Sequence, residues 1–253
     1  MSAKPQRVAT APPGRNAWRG VLVLILLVVI SGVVWVYWGP GRDRGSGIGG
    51  PSASVTPTPT PTHTIPAIAR QEVWISDTPA SGEYATNTEA IASGTSNERV
   101  VDYVVRVETS VPAVDPDVAA REIQATLDDS RGWAGYGRTS FRAVTEVGED
   151  TLVITLASPD TAQELCQPLD IERKWNCRVK NTVVLNSDRW LYMTPTYDDL
   201  TRYRSYMVNH EVGHFLGQAH VGCPKEGAPA PVMMQQSIKL DGCVPNAWPR
   251  DAD

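Results

Sequence analysis

The chain has 253 residues, room for one large domain or two small ones, and carries a formal net charge of −5. Residues 1–20 hold Lys4, Arg7, Arg15 and Arg19 and no acid, so the chain beyond them sums to −9. Such an acidic body offers no basic patch for nucleic acid, which is therefore not expected as a partner.

Residues 21–38, VLVLILLVVISGVVWVYW, contain no charge. A run of this length spans a bilayer core, and Trp18 at one end and Trp35, Tyr37 and Trp38 at the other suit the headgroup level. Four basic residues precede the run, whereas Arg42, Asp43 and Arg44 follow it. The positive-inside bias then predicts a cytoplasmic tail at 1–20, a transmembrane helix at 21–38 and an extracytoplasmic remainder in a single-pass cell-membrane protein. A cleaved secretory signal is the competing reading, but the run is long for one and ends in bulky residues where a cleavage site needs small ones. Residues 39–66 are rich in Pro, Thr, Gly and Ser and read as a solvated linker, with His63 a bystander in it. Residues 67–99 are polar without clear periodicity and read as a stalk or N-terminal extension, a segment that could also cover a cleft.

From 100 to 253 the pattern is that of a folded domain. VVDYVVRVE from Val100 is strand-like, and Pro116 opens a helix to Leu127 with Asp115 placed to cap it. FRAV from Phe141, TLVITLA from Thr151 and TVVLN over Thr182–Asn186 read as further strands, and SPDTAQELC from Ser158 as a short helix. Strands and helices in this mixture point to one α+β or α/β domain, with α+β around a small mixed sheet as the expectation. The four cysteines, Cys166, Cys177, Cys223 and Cys243, all lie in this domain. An even count outside the cytoplasm predicts two disulfides, with the sequence neighbours Cys166–Cys177 and Cys223–Cys243 favoured among three connectivities. A zinc knuckle is the rival, but there is no CxxC.

The longest helical pattern runs from Asp198 to Leu216, with Leu200, Tyr203, Met207, His210, Glu211 and His214 near one face. Its end reads HEVGHFLGQAH, which places three of the chain's four histidines within eleven residues. His210 and His214, one turn apart, can reach a single ion, and Glu211 stands beside them free to act as a base. Gly217 tolerates the conformation that ends a helix, and the bend can return His220 to the metal. Three imidazoles with one open position describe a catalytic site for one zinc ion. Coincidental histidines on a polar helix are the plain alternative, and a zinc site without chemistry is the more serious one.

The string fits H-E-x-x-H-x-x-G-x-x-H and resembles the metzincin clan of zinc peptidases. MVNHEVGH, HVGCP, PVMMQQ, DRW at 188–190 and LDGCVPNAWP look like an uncharacterised actinobacterial family of membrane-anchored proteins, over roughly Val100 to Pro249. The resemblance implies a metzincin-like zincin domain behind the transmembrane helix, with His210, His214 and His220 as zinc ligands. It also implies a Met-turn at Met233, with Met234 the fallback. A thermolysin-like site would take a later Glu as third ligand, and the only one is Glu226, in a loop. The implied reaction is peptide-bond hydrolysis by a zinc-activated water with Glu211 as general base. By resemblance an edge strand aligns the peptide or protein substrate, and TVVLN is the candidate strand. A hydrolase of cell-wall peptides, or a non-catalytic zinc-containing surface module, are the alternative functions.

Overall fold

The computed structural model describes residues 64–250, within a unit that runs from Pro59 to Asp253. The spine of these residues is β2, Arg99–Glu108, a ten-residue strand rich in valine. Parallel strands flank it: β3, Thr139–Ala143, on one side and β4, Leu152–Ala157, on the other. Next come β6, Thr182–Asn186, parallel to β4, and β5, Cys177–Val179, antiparallel to β6 at the sheet's edge. The short β1, Tyr84–Thr86, pairs antiparallel with the far end of β2.

Helices lie on both faces. α1, Pro116–Asp128, and the four-residue α2, Trp133–Tyr136, connect β2 to β3, and α3, Pro159–Leu165, follows β4. Asp115 accepts from the N–H groups of Asp117 and Val118 and so caps α1. α4, Ser187–Tyr192, is buried along its whole length, and α5, Leu200–Phe215, packs against α1, α4, β5 and β6. The main core lies on this side, where Tyr103, Val105, Ile154, Leu156, Val183 and Leu185 meet Ile123, Leu127 and Met207. Ala157, Val184 and Cys177 form a second cluster with Ala162 and Cys166 on the other.

The expected α+β class behind a transmembrane helix is corrected to mixed α/β. β4 and β6 carry near-continuous apolar runs because helices and their loops cover them from both sides, the pattern of parallel strands. Among the described residues no helix is long and apolar enough to cross a membrane. The segment 21–38 lies outside them, as do the tail 1–20, His63 and nearly all of the linker.

Residues 67–99 are part of the folded unit, not a stalk before it. Ala69 is buried in a 3-10 turn, and Trp74 meets Tyr192 edge-on at 4.8 Å. Ser76 donates through its backbone N–H and its hydroxyl to buried Asp188, both at 2.6 Å. Asn87 Oδ1 accepts from Val105 N, while its Nδ2 donates to the Glu89 and Val144 carbonyls. This strap also reaches Glu108 at the end of β2. The backbone N–H groups of Ser81 and Gly82 donate to that carboxylate, as do Ser158 N and Thr161 Oγ1 from the start of α3.

Candidate functional site

Asp199 accepts from Arg202 N and starts α5. At the other end Gly217 N–H donates to the His214 carbonyl and Gln218 N–H to that of Gly213, while Gly217 takes φ +88°. This is a Schellman ending, which needs a residue without a Cβ at the turning point. The chain then doubles back and carries His220 to the helix.

The result is a tight group of imidazoles. His210 Nε2 lies 3.3 Å from His220 Nε2, and His214 Nε2 lies 3.0 Å from it. On the far side of each helical ring, His210 Nδ1 is 2.8 Å from the Val232 carbonyl and His214 Nδ1 2.9 Å from that of Gln218. A carbonyl can only accept, so both Nδ1 atoms carry the proton and both Nε2 atoms present lone pairs. His210, His214 and His220 could hold a metal ion, with ligand atoms within 4.8 Å of one another. Burial lowers the His210 pKa to about 3; the Val232 hydrogen bond opposes this, and the neighbouring imidazoles of His214 and His220 reinforce it. Burial, with His214 nearby, also lowers that of His220. Both are therefore held in the neutral form that metal binding requires.

Glu211 lines the same cleft. Its side chain is buried, Oε2 has no hydrogen-bond partner, and burial raises its pKa to about 8. Beneath the helix lies Met233. A Cβ built on Gly213 would stand 2.3 Å from Met233 Sδ and 2.8 Å from Trp133 Cζ2, so the methionine and the indole occupy the space a side chain would take. Met234 turns away into a separate cluster with Ala230 and Cys243, whereas Met233 belongs to the main core and packs against Gly213 of α5. Val221 N–H donates to the Met233 carbonyl, so the residue after His220 is tied to this turn. The disulfide Cys223–Cys243 ties the same loop to the C-terminal segment, and Cys166–Cys177 joins the end of α3 to β5.

The cleft encloses about 600 Å³ above the histidines. Its lining includes Ile171, Trp175 and Arg178 together with Gln235, Ser237 and Ile238. None of its lining residues comes from 64–98, so the strap does not cover it. TVVLN, the strand expected at the edge, is β6 and lies inside the sheet between β4 and β5. The edge strand that lines the cleft is β5, whose three residues carry too little pattern to stand out in the sequence. Trp133, whose Nε1 donates to the Asn209 carbonyl at 2.7 Å, had no signal of its own either. Gly213 had one: a glycine inside a helix costs about 1 kcal/mol against alanine and implies a close neighbour.

Residues 76–248 match the family model described as Protein of unknown function (DUF3152). The chain belongs to this family. No curated protein and no solved structure matches it. The DUF3152 match opens at Ser76, the residue that clamps Asp188, and closes at Trp248. It therefore takes in every strand among the described residues, the three histidines, Glu211 and both disulfides.

Proposed function

We propose that this DUF3152 protein is a zinc-dependent peptidase that acts outside the cytoplasm. The observation that carries the reading is the convergence of three imidazole nitrogens beside a buried carboxyl group whose Oε2 has no hydrogen-bond partner. Nitrogens about 2.0–2.1 Å from a tetrahedral zinc ion stand roughly 3.3 Å apart, which suits the separations of 3.0 and 3.3 Å at this site. Three imidazoles without a thiolate leave the fourth position open, as in catalytic zinc sites. The chemistry a bound zinc ion supplies is that of a Lewis acid, which polarises a carbonyl and makes water nucleophilic near neutral pH.

The chain's own groups supply the rest. The Val232 and Gln218 carbonyls hold His210 and His214 in the ligating tautomer. Glu211 takes a proton from the attacking water and passes it to the leaving amine. Its burial sets it near the pH range where one group can do both, and a cation beside it favours the carboxylate. The open edge of β5 is suited to align an extended peptide by main-chain hydrogen bonds. Two disulfides fit an extracellular protein. Attachment to the membrane rests on the apolar sequence 21–38 alone.

The test is metal analysis and cleavage of mixed peptide, protein and peptidoglycan substrates by the full-length protein, with Glu211→Gln as control. One zinc per chain and Glu211-dependent cleavage are expected. A folded, zinc-loaded protein that cuts none of these substrates overturns the reading.

A further inference from the structure

The edge strand β5 bears one charged side chain, Arg178, between Cys177 and Val179. Cys177 and Val179 pack into the cluster behind the sheet, so alternation along the strand turns Arg178 to the opposite face, toward α5. There it lines the cleft with His210, Glu211, His214 and His220. It also lines the neighbouring cavity beside Phe215 at the end of α5.

Its guanidinium is unmatched. Nε is shut away from solvent with no hydrogen-bond partner, which leaves the Nη atoms as the reachable donors. Among the described residues Arg142, Arg173 and Arg204 each hold a carboxylate, whereas Arg178 forms no ion pair. The acidic groups in its two cavities are otherwise engaged or apart. Asp102 is held by Arg142, Asp170 accepts from Glu172 N, and neither Asp150 nor Glu211 makes a bridge to it.

The backbone of Arg178 is also free to pair. Val153 N–H donates to the Asn181 carbonyl, so residues 181 and 183 of the β6 side turn their main-chain groups toward β4. Arg178 stands opposite Val183. In an antiparallel pair, opposed residues either exchange both bonds or neither. Val183 faces away, so the N–H and C=O of Arg178 point to the open edge. A peptide residue paired there would place its side chain on the same face of the sheet, as a direct cross-strand neighbour of the guanidinium.

We propose that Arg178 is a specificity residue that selects substrates with a carboxylate opposite it on the edge strand. The inference rests on the peptidase reading for its substrate, but it can be measured without turnover. The carboxylate belongs to an Asp or Glu side chain within the peptide or to a free C-terminus, two sources with the same chemistry.

The probes are a hexapeptide with one central Glu, its Gln counterpart, and both again with amidated C-termini. Binding of each is measured to full-length, zinc-loaded Glu211→Gln protein, and cleavage of each by wild type. With the side chain as the source, the Glu peptide is expected to bind about tenfold tighter than the Gln peptide, the low end of what a hydrogen bond to a charged group contributes. Arg178→Ala should erase that ratio, and Arg178→Lys should keep part of it, with zinc content and thermal midpoint showing that both variants fold. A Glu-over-Gln preference that survives amidation assigns the carboxylate to the side chain, whereas an Arg178-dependent, about tenfold weakening of the Gln peptide on amidation assigns it to the C-terminus. Wild-type binding that changes neither from Glu to Gln nor on amidation, or a preference unchanged in Arg178→Ala, overturns the proposal. Arg178-dependent binding without any cleavage supports the role of Arg178 and removes the peptidase reading.

Discussion

Gly213 shows how much of the site depends on a side chain that is missing. Met233 Sδ and the Trp133 ring sit where its Cβ would be, at 2.3 and 2.8 Å. Alanine would favour the helix by about 1 kcal/mol. The methionine can shift but the indole, held by its bond to Asn209, cannot easily follow. Gly213→Ala is therefore expected to cost about 1–3 kcal/mol net, read by denaturant unfolding, and to weaken metal binding because His214 is the next residue. Glu211→Gln tests the opposite kind of residue. It should keep one zinc per chain and lower kcat by about 10²–10⁴-fold, and an equal loss of zinc would assign Glu211 to the ligand shell instead. At this scale the three histidines, Glu211 and Gly217 were legible because helical periodicity and a turn residue placed them together. Arg178 and Trp133 were not, since Arg178 lies on a strand of three residues and Trp133 bonds to a residue distant in sequence.

Between elements, the third imidazole depends on a loop and not on a helix. His220 reaches the others because Gly217 ends α5, Val221 bonds to the Met233 carbonyl, and Cys223 is bound to Cys243. Replacing Cys223 and Cys243 by serine should lower stability by about 2–4 kcal/mol, as expected for loss of a native disulfide. It should also raise the rate at which a chelator strips the metal, more than the same change at Cys166 and Cys177 does. Equal rates for the two double variants would show that the loop is held without its disulfide. The strands were legible as apolar runs, and the helices as capped periodic segments. The class was misread because a continuous run such as TLVITLA says that both faces are covered without saying by what. The edge strand was missed because three residues carry no period.

Taken whole, the molecule is joined at Glu108, where the strap, β2 and α3 meet. Burial disfavours the ionised carboxyl, but hydrogen bonds from Gly82, Ser158, Thr161 and Ser81 outweigh it and set the pKa below the ordinary 4.5. A group lowered in the folded state stabilises above its unfolded pKa, and that contribution is lost as pH falls through the folded one. Glu108→Gln should thus cost about 1–3 kcal/mol at pH 7. The gap to wild type should narrow below pH 4.5, as urea unfolding at several pH values would show. A gap independent of pH would mean that shape, not charge, matters there. Residues 67–99 were illegible as part of the fold because serine, threonine and asparagine side chains hold them, with few apolar residues to set a period.

The strap has a consequence for control. It leaves the cleft uncovered, yet it satisfies Asp188 and Glu108 and supplies β1 to the sheet. Cutting it away would unveil nothing and would leave two buried carboxylates short of donors. In a protein built this way, proteolysis within residues 67–99 takes away part of the fold and exposes no more of the cleft.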